Sequence, residues 1–328
     1  MKHMAIRKKT EKKLDSHWER QALENIALSA LHEQKIARRW SIVFKSLTFF
    51  FIFTLLFLGF GAERAPGVSS SKHTAMIELS GVIGEKDEVN AKDFFESLRR
   101  AYASSGTQGI ILKINSPGGS PVQAGMINDE IKRQKLLHPK IPIYAVIEDI
   151  CASGGYYIAV ATDNIYVDKA SIVGSIGVLM DGFGFSETMK KVGVERRLMT
   201  AGTNKAMLDP FSPVNPKQQA YVQTLLNEVH QQFITVVREG RGSRLKESPE
   251  IFSGLFWNGE SSIKLGLADA IGNYDFVARE IIKADTIVDF TTYESFADRF
   301  ARKFGASIGA LMHQSLRSEL LKNPIQLH

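Results

Sequence analysis

The chain has 328 residues, of which 44% are hydrophobic and 23% charged, a composition typical of one or two globular units with a sizeable core. The formal net charge is +6, but residues 1–39 hold ten Lys/Arg against five Asp/Glu, so the basic balance belongs to an N-terminal arm and does not indicate nucleic-acid binding. The single cysteine, Cys151, excludes an intramolecular disulfide and a cysteine-based zinc cluster.

The first two segments of the chain both have the pattern of helices. Within residues 1–39, apolar residues recur at helical spacing between charged ones, which predicts a basic helical arm. Residues 40–62 contain the run IVFKSLTFFFIFTLLFLGFGA, whose only charge is Lys45. At about 1.5 Å per residue this run is long enough to cross the roughly 30 Å hydrocarbon core of a bilayer, so it predicts a transmembrane helix.

The charges that flank residues 40–62 predict the orientation of this segment. Arg38 and Arg39 lie just before it, and the basic arm precedes them, whereas Glu63 and Arg64 are the only charges that follow it closely. Positive charge on the N-terminal side places the N-terminus in the cytoplasm. A cleaved signal peptide is the alternative, but the leader would be long and the apolar run exceeds a typical signal sequence. We therefore expect a single-pass protein of a bacterial inner membrane whose remaining chain lies in the periplasm.

The exported part begins with a short tether, residues 63–74, and continues with alternating strand and helix patterns. Residues 75–290 contain strands rich in Ile and Val between amphipathic helices, which predicts an α/β domain with a largely parallel sheet. Apolar residues in 291–328 recur about four positions apart, so we expect an amphipathic C-terminal tail that docks on its own core, on a neighbouring protomer or on the membrane. The predicted strands are 75–83, 109–114, 141–147, 164–167 and a short one within 172–178, and the predicted helices include 91–103, 121–136 and 216–240.

Ser153 lies at a predicted corner between a strand and a helix. It follows the apolar run at 141–147 and precedes Gly154 and Gly155. A serine at such a corner can present its hydroxyl beside backbone N–H groups that favour an oxyanion. The alternative is an N-cap serine, the commonest reason for a serine before a helix. The position alone does not decide between the two.

A nucleophilic serine needs a proton acceptor, because its hydroxyl is almost never ionised near neutral pH. His73 falls in the predicted tether, and neither His138, His230 nor His313 lies in a loop typical of an active-site edge, which disfavours a Ser-His-Asp triad without excluding it. A desolvated lysine loses its proton readily and is a competent general base. Lys205 is the best candidate because it lies in a loop among small and apolar residues. A solvated loop lysine is the alternative.

Four short motifs occur in order along the exported part. They are Asn-Ser-Pro-Gly-Gly at 115–119, Cys-Ala-Ser-Gly-Gly-Tyr-Tyr-Ile-Ala at 151–159, Gly-Ser-Ile-Gly-Val at 174–178 and Gly-Thr-Asn-Lys at 202–205. Together they resemble the signal peptide peptidase A family, membrane-anchored Ser/Lys peptidases of family S49. The resemblance covers about residues 75–290 and implies the Clp protease/crotonase-like fold of repeated strand–strand–helix units.

This resemblance implies a role for five residues. Ser153 would be the nucleophile, Lys205 the general base, and Ser175 the second serine whose hydroxyl holds the lysine amine. The N–H groups of Gly119 and Gly154 would form the oxyanion hole, where paired donors are worth several kcal/mol of transition-state stabilisation. Each assignment has a structural alternative, such as a tight turn at Gly119 or a buried serine bonded to the backbone at Ser175.

The expected function is that of a membrane-anchored serine endopeptidase that cleaves peptides, remnant signal peptides in particular, without a metal ion or another cofactor. Its expected partners are peptide substrates, the lipid bilayer through residues 40–62 and further copies of the same chain, as the resemblance to ring-forming short members of the family implies. One copy of the domain carries both Ser153 and Lys205, so the dyad could be complete within a protomer. A crotonase-like acyl-CoA enzyme and a non-catalytic membrane scaffold are the alternatives.

Overall fold

The computed structural model describes residues 2–61 and 71–292 and divides into two compact units. The first unit comprises Met1–Ala65 and Glu294–His328, and its described part is one continuous helix, α1 (Lys2–Gly61). The predicted arm and the apolar segment after it are therefore parts of a single helix.

Two predictions fall partly outside the described residues. None of the helices in the described ranges combines the length and the apolarity that crossing a membrane requires. The transmembrane segment predicted at 40–62 continues past residue 54, beyond which the side chains of α1 are not described. Of the predicted C-terminal tail, residues 293–328 lie outside the described part of the chain.

The second unit, Pro66–Tyr293, is an α/β domain. Its elements begin with β1 (His73–Ile83), α2 (Ala91–Ala103), β2 (Thr107–Gly119), α3 (Pro121–Leu137), β3 (Ile143–Ala152), α4 (Gly154–Ala159) and β4 (Asn164–Val167). They continue with β5 (Ile172–Gly174), α5 (Ser186–Lys191), α6 (Pro216–Arg241), β6 (Phe256–Asn258), α7 (Gly259–Lys264), β7 (Ala270–Ile271), α8 (Tyr274–Phe276), a π-helical turn (Val277–Ile282) and β8 (Ile287–Asp289). Within the described residues, a strand–strand–helix order occurs only at β4, β5 and α5, because single strands and helices alternate before them.

The eight strands of the described residues form one mixed sheet in which β6, β5, β3, β2, β1 and β8 are neighbours in that order. Every pairing is parallel except the one between β5 and β6. The first half of β3 pairs with β4, which in turn pairs with β7, and the last residues of β3 pair with β5. The predicted α/β class with a largely parallel sheet is confirmed.

The central strands are apolar on both faces because both faces of the sheet are covered. Successive side chains of a strand point to opposite faces, so Ile110 and Leu112 join a core that contains Leu98 of α2 and Ile127 of α3. Ile111, between them, joins a second buried cluster on the other face, which includes residues of the π-helical turn. A near-continuous apolar run in β2 is the pattern expected of a parallel strand buried on both sides.

Strand β1 begins at His73, so the predicted tether of residues 63–74 includes the first two residues of this strand. His73 is fully buried, and its Nε2 lies 3.2 Å from the hydroxyl oxygen of Thr107. His73 and Thr107 are paired where β1 and β2 begin, whereas Ile83 and Gly119 are paired where they end. At about 3.3 Å per residue these two ends are roughly 30 Å apart, so His73 lies far from the predicted oxyanion-hole glycine Gly119.

Candidate active site

Ser153 lies between the end of β3 and the start of α4. Its backbone has φ 50° and ψ −121°, a conformation that non-glycine residues rarely adopt and that persists only where the surroundings hold it. The Ser153 N–H donates to the carbonyl oxygen of Gly174 at 2.9 Å, and its own carbonyl oxygen accepts from the Tyr157 N–H at 2.9 Å. Ser153 occupies the N-cap position of α4, but its half-buried side chain makes no capping hydrogen bond. The strained corner leaves the hydroxyl available for chemistry.

The turn of Pro117, Gly118 and Gly119 lies directly against this corner. A Cβ on Gly118 would lie 2.8 Å from the Cβ of Ser153 and 2.8 Å from the N of Gly154, and a Cβ on Gly154 would lie 3.2 Å from the N of Gly119. Gly118 and Gly119 also have φ of 104° and 149°, which favour glycine. The Gly154 N–H opens α4 and has no acceptor within the helix. The backbone nitrogens of Gly119 and Gly154 therefore lie close together beside the side chain of Ser153, as the predicted oxyanion hole requires.

The glycine turn is fixed to the end of β1 by a buried serine. The hydroxyl of Ser116 donates to the carbonyl oxygen of Gly81 at 2.6 Å, and its oxygen accepts from the Gly118 N–H at 3.2 Å. The Ser120 N–H donates to the carbonyl oxygen of Ile83 at 2.7 Å. These bonds fix the backbone of the turn on both sides of Gly119.

Ser175 lies next to Ser153 where two paired strands end. Ala152, the last residue of β3, is paired with Gly174, the last residue of β5, and the two serines directly follow them. Ser175 also has a positive φ, 53°, and its N–H donates to the carbonyl oxygen of Leu255 at 2.7 Å. In the described part of the chain, the Ser175 hydroxyl has no hydrogen-bond partner.

Lys205 lies on an exposed segment between α5 and α6. Its N–H donates to the carbonyl oxygen of Gly202 at 3.1 Å, which closes a turn. No hydrogen bond or ion pair among residues 71–292 joins its amine to Ser153 or Ser175. The single chain thus brings together Ser153, Ser175 and the two glycines predicted to form the oxyanion hole, and within the described residues no hydrogen bond joins Lys205 to them. Large apolar side chains are exposed on both sides of α5, within residues 176–215: Leu179, Met180, Phe183, Val192, Met199 and Val214.

Cys151 and His138 both pack within the domain, Cys151 in strand β3 and His138 at the end of α3. Cys151 is fully buried in β3, and burial raises the pKa of its thiol far above the ordinary value, so it is not a thiolate near neutral pH. His138 stacks on Tyr102 with ring centroids 4.5 Å apart, at the C-terminal end of α3. Of the three histidines considered as a general base, His313 lies outside the described residues.

His230 lies closer to the serines than the sequence indicated. Its Nε2 is 3.2 Å from the carbonyl oxygen of Ile176, the residue after Ser175. The helical spacing of α6 indicates this position, because Phe233 and Val237 are buried and His230 precedes Phe233 by one helical turn. That spacing shows that His230 lies on the buried face of the helix. Its position in the middle of the helix does not show which face it is on.

Comparison with known proteins places the site in a peptidase context. A family model described as peptidase family S49 matches residues 135–287, which contain Ser153, Ser175 and Lys205. The relative "Putative protease slr0021" of Synechocystis sp. is 30% identical over 204 residues, which cover 62% of this chain and 71% of that protein. "Putative signal peptide peptidase SppA" of Enterococcus faecium is 27% identical over 234 residues, covering 69% and 67%.

Other similarities are partial or structural. The Na⁺/H⁺ antiporter NhaA of Brucella abortus is 46% identical over 176 residues, which cover 54% of this chain and 24% of the antiporter. The chain thus spans about a quarter of the length of that relative. A solved structure of a mutant of the 1510-N membrane-bound stomatin-specific protease is 14% identical with a TM-score of 0.37, covering 68% of this chain and 96% of its own. A structure of a ClpP1 mutant from Listeria monocytogenes is also 14% identical, with a TM-score of 0.39, covering 63% of this chain and 93% of its own. These scores are too low to argue a shared fold from.

Proposed function

This chain belongs to peptidase family S49, and from that premise we propose that it is a membrane-anchored serine endopeptidase that cleaves peptides, remnant signal peptides in particular. The family and the protease-named relatives support serine endopeptidase activity. The observation that carries the proposal is the Ser153 corner, where a hydroxyl without a capping role lies beside the N–H groups of Gly119 and Gly154.

In the proposed reaction, the uncharged amine of Lys205 takes the proton of the Ser153 hydroxyl as its oxygen attacks the peptide carbonyl carbon. The oxygen that becomes negative accepts hydrogen bonds from the N–H groups of Gly119 and Gly154. The protonated Lys205 then gives its proton to the leaving amine. A water molecule, activated by the same lysine, hydrolyses the acyl-enzyme. The Ser175 hydroxyl, next to Ser153, holds the lysine amine in position.

Lys205 reaches Ser153, in this proposal, when the chain assembles into a homo-oligomer. The segment 176–215 carries Lys205 and exposes Leu179, Phe183 and Met199 by 81%, 79% and 95%. Burying apolar surface stabilises a contact by roughly 25 cal/mol per Å² and makes such a segment a candidate contact between copies. An amine enclosed in that contact loses water and holds its proton less firmly, which is the state that a general base needs.

Mixing two inactive variants tests which chain supplies the amine. Ser153→Ala and Lys205→Ala proteins are unfolded and refolded together, and peptide cleavage is measured. Restored cleavage means that a neighbouring copy supplies Lys205, whereas no restoration, with an oligomer of wild-type size, means that the same chain does. A protein that cleaves peptides as a monomer contradicts the role of assembly.

The membrane part of the proposal depends on α1. Phe49, Phe50 and Phe51 are exposed by 73%, 68% and 63%, and hydrocarbon would bury such a surface favourably. The positive charge that precedes residues 40–62 favours a cytoplasmic N-terminus and a periplasmic peptidase domain in a bacterial inner membrane. Alkaline extraction of membranes tests the anchor: the full chain should stay in the pellet. Its release into the supernatant contradicts the proposal.

Cleavage of a panel of synthetic peptides by the full chain in detergent tests the activity. Peptides with an apolar residue before the scissile bond should be cut fastest if the site lies near the bilayer, and Ser153→Ala should cut none. A preference for charged residues contradicts the expected substrate class. Cleavage by Ser153→Ala at the wild-type rate contradicts the nucleophile assignment itself.

A further inference from the structure

His230 of α6 donates a hydrogen bond to the backbone just after Ser175. Its Nε2 lies 3.2 Å from the carbonyl oxygen of Ile176. A carbonyl oxygen only accepts hydrogen bonds, so Nε2 must carry the hydrogen and the ring is the donor. A neutral His230 therefore has its second nitrogen, Nδ1, unprotonated, and its Nε2–H is bound to the backbone.

The backbone that His230 holds is strained and needs support. Ser175 has φ 53°, and residues in such conformations persist only where the surrounding structure determines them. On one side, the Ser175 N–H donates to the carbonyl oxygen of Leu255 at 2.7 Å. On the other side, the carbonyl of Ile176 accepts from His230. The two bonds hold this stretch at both ends, and the His230 bond is the one that a side chain supplies.

The same turn of α6 also supports the corner at Ser153. Phe233, three residues after His230, packs on Tyr157 of α4 with ring centroids 5.0 Å apart. The Tyr157 N–H donates to the carbonyl oxygen of Ser153 at 2.9 Å. Residues three apart lie on the same face of a helix. One face of α6 therefore contacts the helix behind Ser153 through Phe233 and the stretch behind Ser175 through His230.

We propose that His230 is a positioning residue of the active site, which fixes Ser175 relative to Ser153 by donating Nε2–H to Ile176, and that it is not the general base. This inference rests on the proposed function, in which the Ser175 hydroxyl holds the amine of Lys205. What the site needs from His230 is the N–H donor, not the imidazole ring. A side chain that places an N–H at the same point should therefore replace it.

Three substitutions separate the donor from the ring. His230→Gln keeps an amide N–H at about the distance of Nε2 from the backbone, His230→Asn keeps an amide one bond shorter, and His230→Leu removes the donor. For the full chain in detergent, kcat and KM are measured on a fluorogenic peptide, with the melting temperature of each variant and the rate at which a fluorophosphonate labels Ser153.

The expected result is a loss in kcat that the donor alone restores. Losing one hydrogen bond between neutral groups should lower kcat roughly three- to tenfold in His230→Leu and His230→Asn. KM should stay unchanged because in this proposal His230 acts through the backbone of Ile176, and His230→Gln should stay within about twofold of wild type. Labelling of Ser153 should follow kcat.

Several results overturn the inference. Wild-type kcat in His230→Leu shows that the bond positions nothing, and a loss in His230→Gln equal to that in His230→Leu shows that the ring itself is required. If His230→Leu does not fold, equal kcat in the Gln and Asn variants overturns the inference. These outcomes all assume that a fluorophosphonate labels wild-type Ser153. If it does not, and no peptide is cleaved, the proposed function fails and the inference fails with it.

Discussion

Replacing Gly119 with alanine should remove most of the peptidase activity while the chain stays folded. A Cβ at this position would lie 2.1 Å from the carbonyl oxygen of Ile83 and 2.8 Å from its nitrogen, whereas real Cβ atoms essentially never approach other heavy atoms within 3.0 Å. The glycine turn and the end of β1 must therefore separate by roughly 1 Å, a displacement that can cost about 100-fold in rate. The φ of 149° adds backbone strain of about 1–3 kcal/mol.

The expected effect on catalysis follows from what Gly119 contributes. Its nitrogen lies beside Gly154 and its N–H is an oxyanion donor in the proposed mechanism, where losing one donor costs about 10²- to 10³-fold in kcat. We expect kcat to fall about 100-fold or more. KM should change little, because the oxyanion forms only in the transition state.

The assay is the peptide-cleavage rate of the full chain, measured beside thermal unfolding, and Gly125→Ala is the matched control. A Cβ on Gly125, within α3, would meet nothing within 4 Å, and alanine favours a helix over glycine by about 1 kcal/mol. This control should keep wild-type kcat and gain stability. A folded Gly119→Ala protein with kcat within about threefold of wild type would refute the assignment of Gly119 as an oxyanion donor.

Two further predictions concern buried groups of the same domain. Asp269→Asn should lower the free energy of unfolding, measured by denaturant titration, by about 3–5 kcal/mol, because it leaves the 1% exposed side chain of Arg241 without its carboxylate. The control Glu239→Gln, in an exposed ion pair, should lower it by less than about 1 kcal/mol. Burial raises the pKa of Asp269, but the hydrogen bonds and charge of Arg241 outweigh this effect and leave the pKa below its usual range. The ion pair thus stabilises the folded chain above the unfolded pKa of about 3.9, and this stabilisation is lost as pH falls through the lower pKa of Asp269 in the folded chain. A loss of unfolding free energy in Asp269→Asn that is the same at neutral and strongly acidic pH contradicts the ion pair. Cys151, the only cysteine, should react with iodoacetamide near neutral pH only after denaturation because burial raises the pKa of its thiol, and rapid alkylation of the native chain, seen by intact mass, contradicts this.

The sequence predicted those features of the site that depend on neighbouring residues. An apolar strand, Ser153 and two glycines predicted a corner, and the structure has one there with a positive φ. Contacts between distant segments could not be obtained in the same way. Ser175 lies next to Ser153 because Ala152 pairs with Gly174, and this register depends on the whole sheet. Motif resemblance named Ser175, but no local pattern placed it.

The two misplaced histidines have different physical explanations. His73 falls within the predicted tether of residues 63–74, yet it is buried where its Nε2 meets the hydroxyl of Thr107, 34 positions along the chain. Partners so far away in sequence leave no local signal. His230 did carry a signal, the helical spacing to Phe233, but a histidine among glutamines in mid-helix resembles a solvated face. Side-chain contacts with a carbonyl, such as that of Ile176, appear only once the helix is docked.

The central claim is that Ser153 is the nucleophile of this chain, and its reaction with a fluorophosphonate tests the claim most directly. Digestion of the labelled full chain and mass spectrometry locate the modified residue. The account predicts a single phosphonylated serine, Ser153, with labelling abolished in Ser153→Ala and greatly slowed in Gly119→Ala. Labelling of another residue, or equal labelling of wild type and Ser153→Ala, would contradict it.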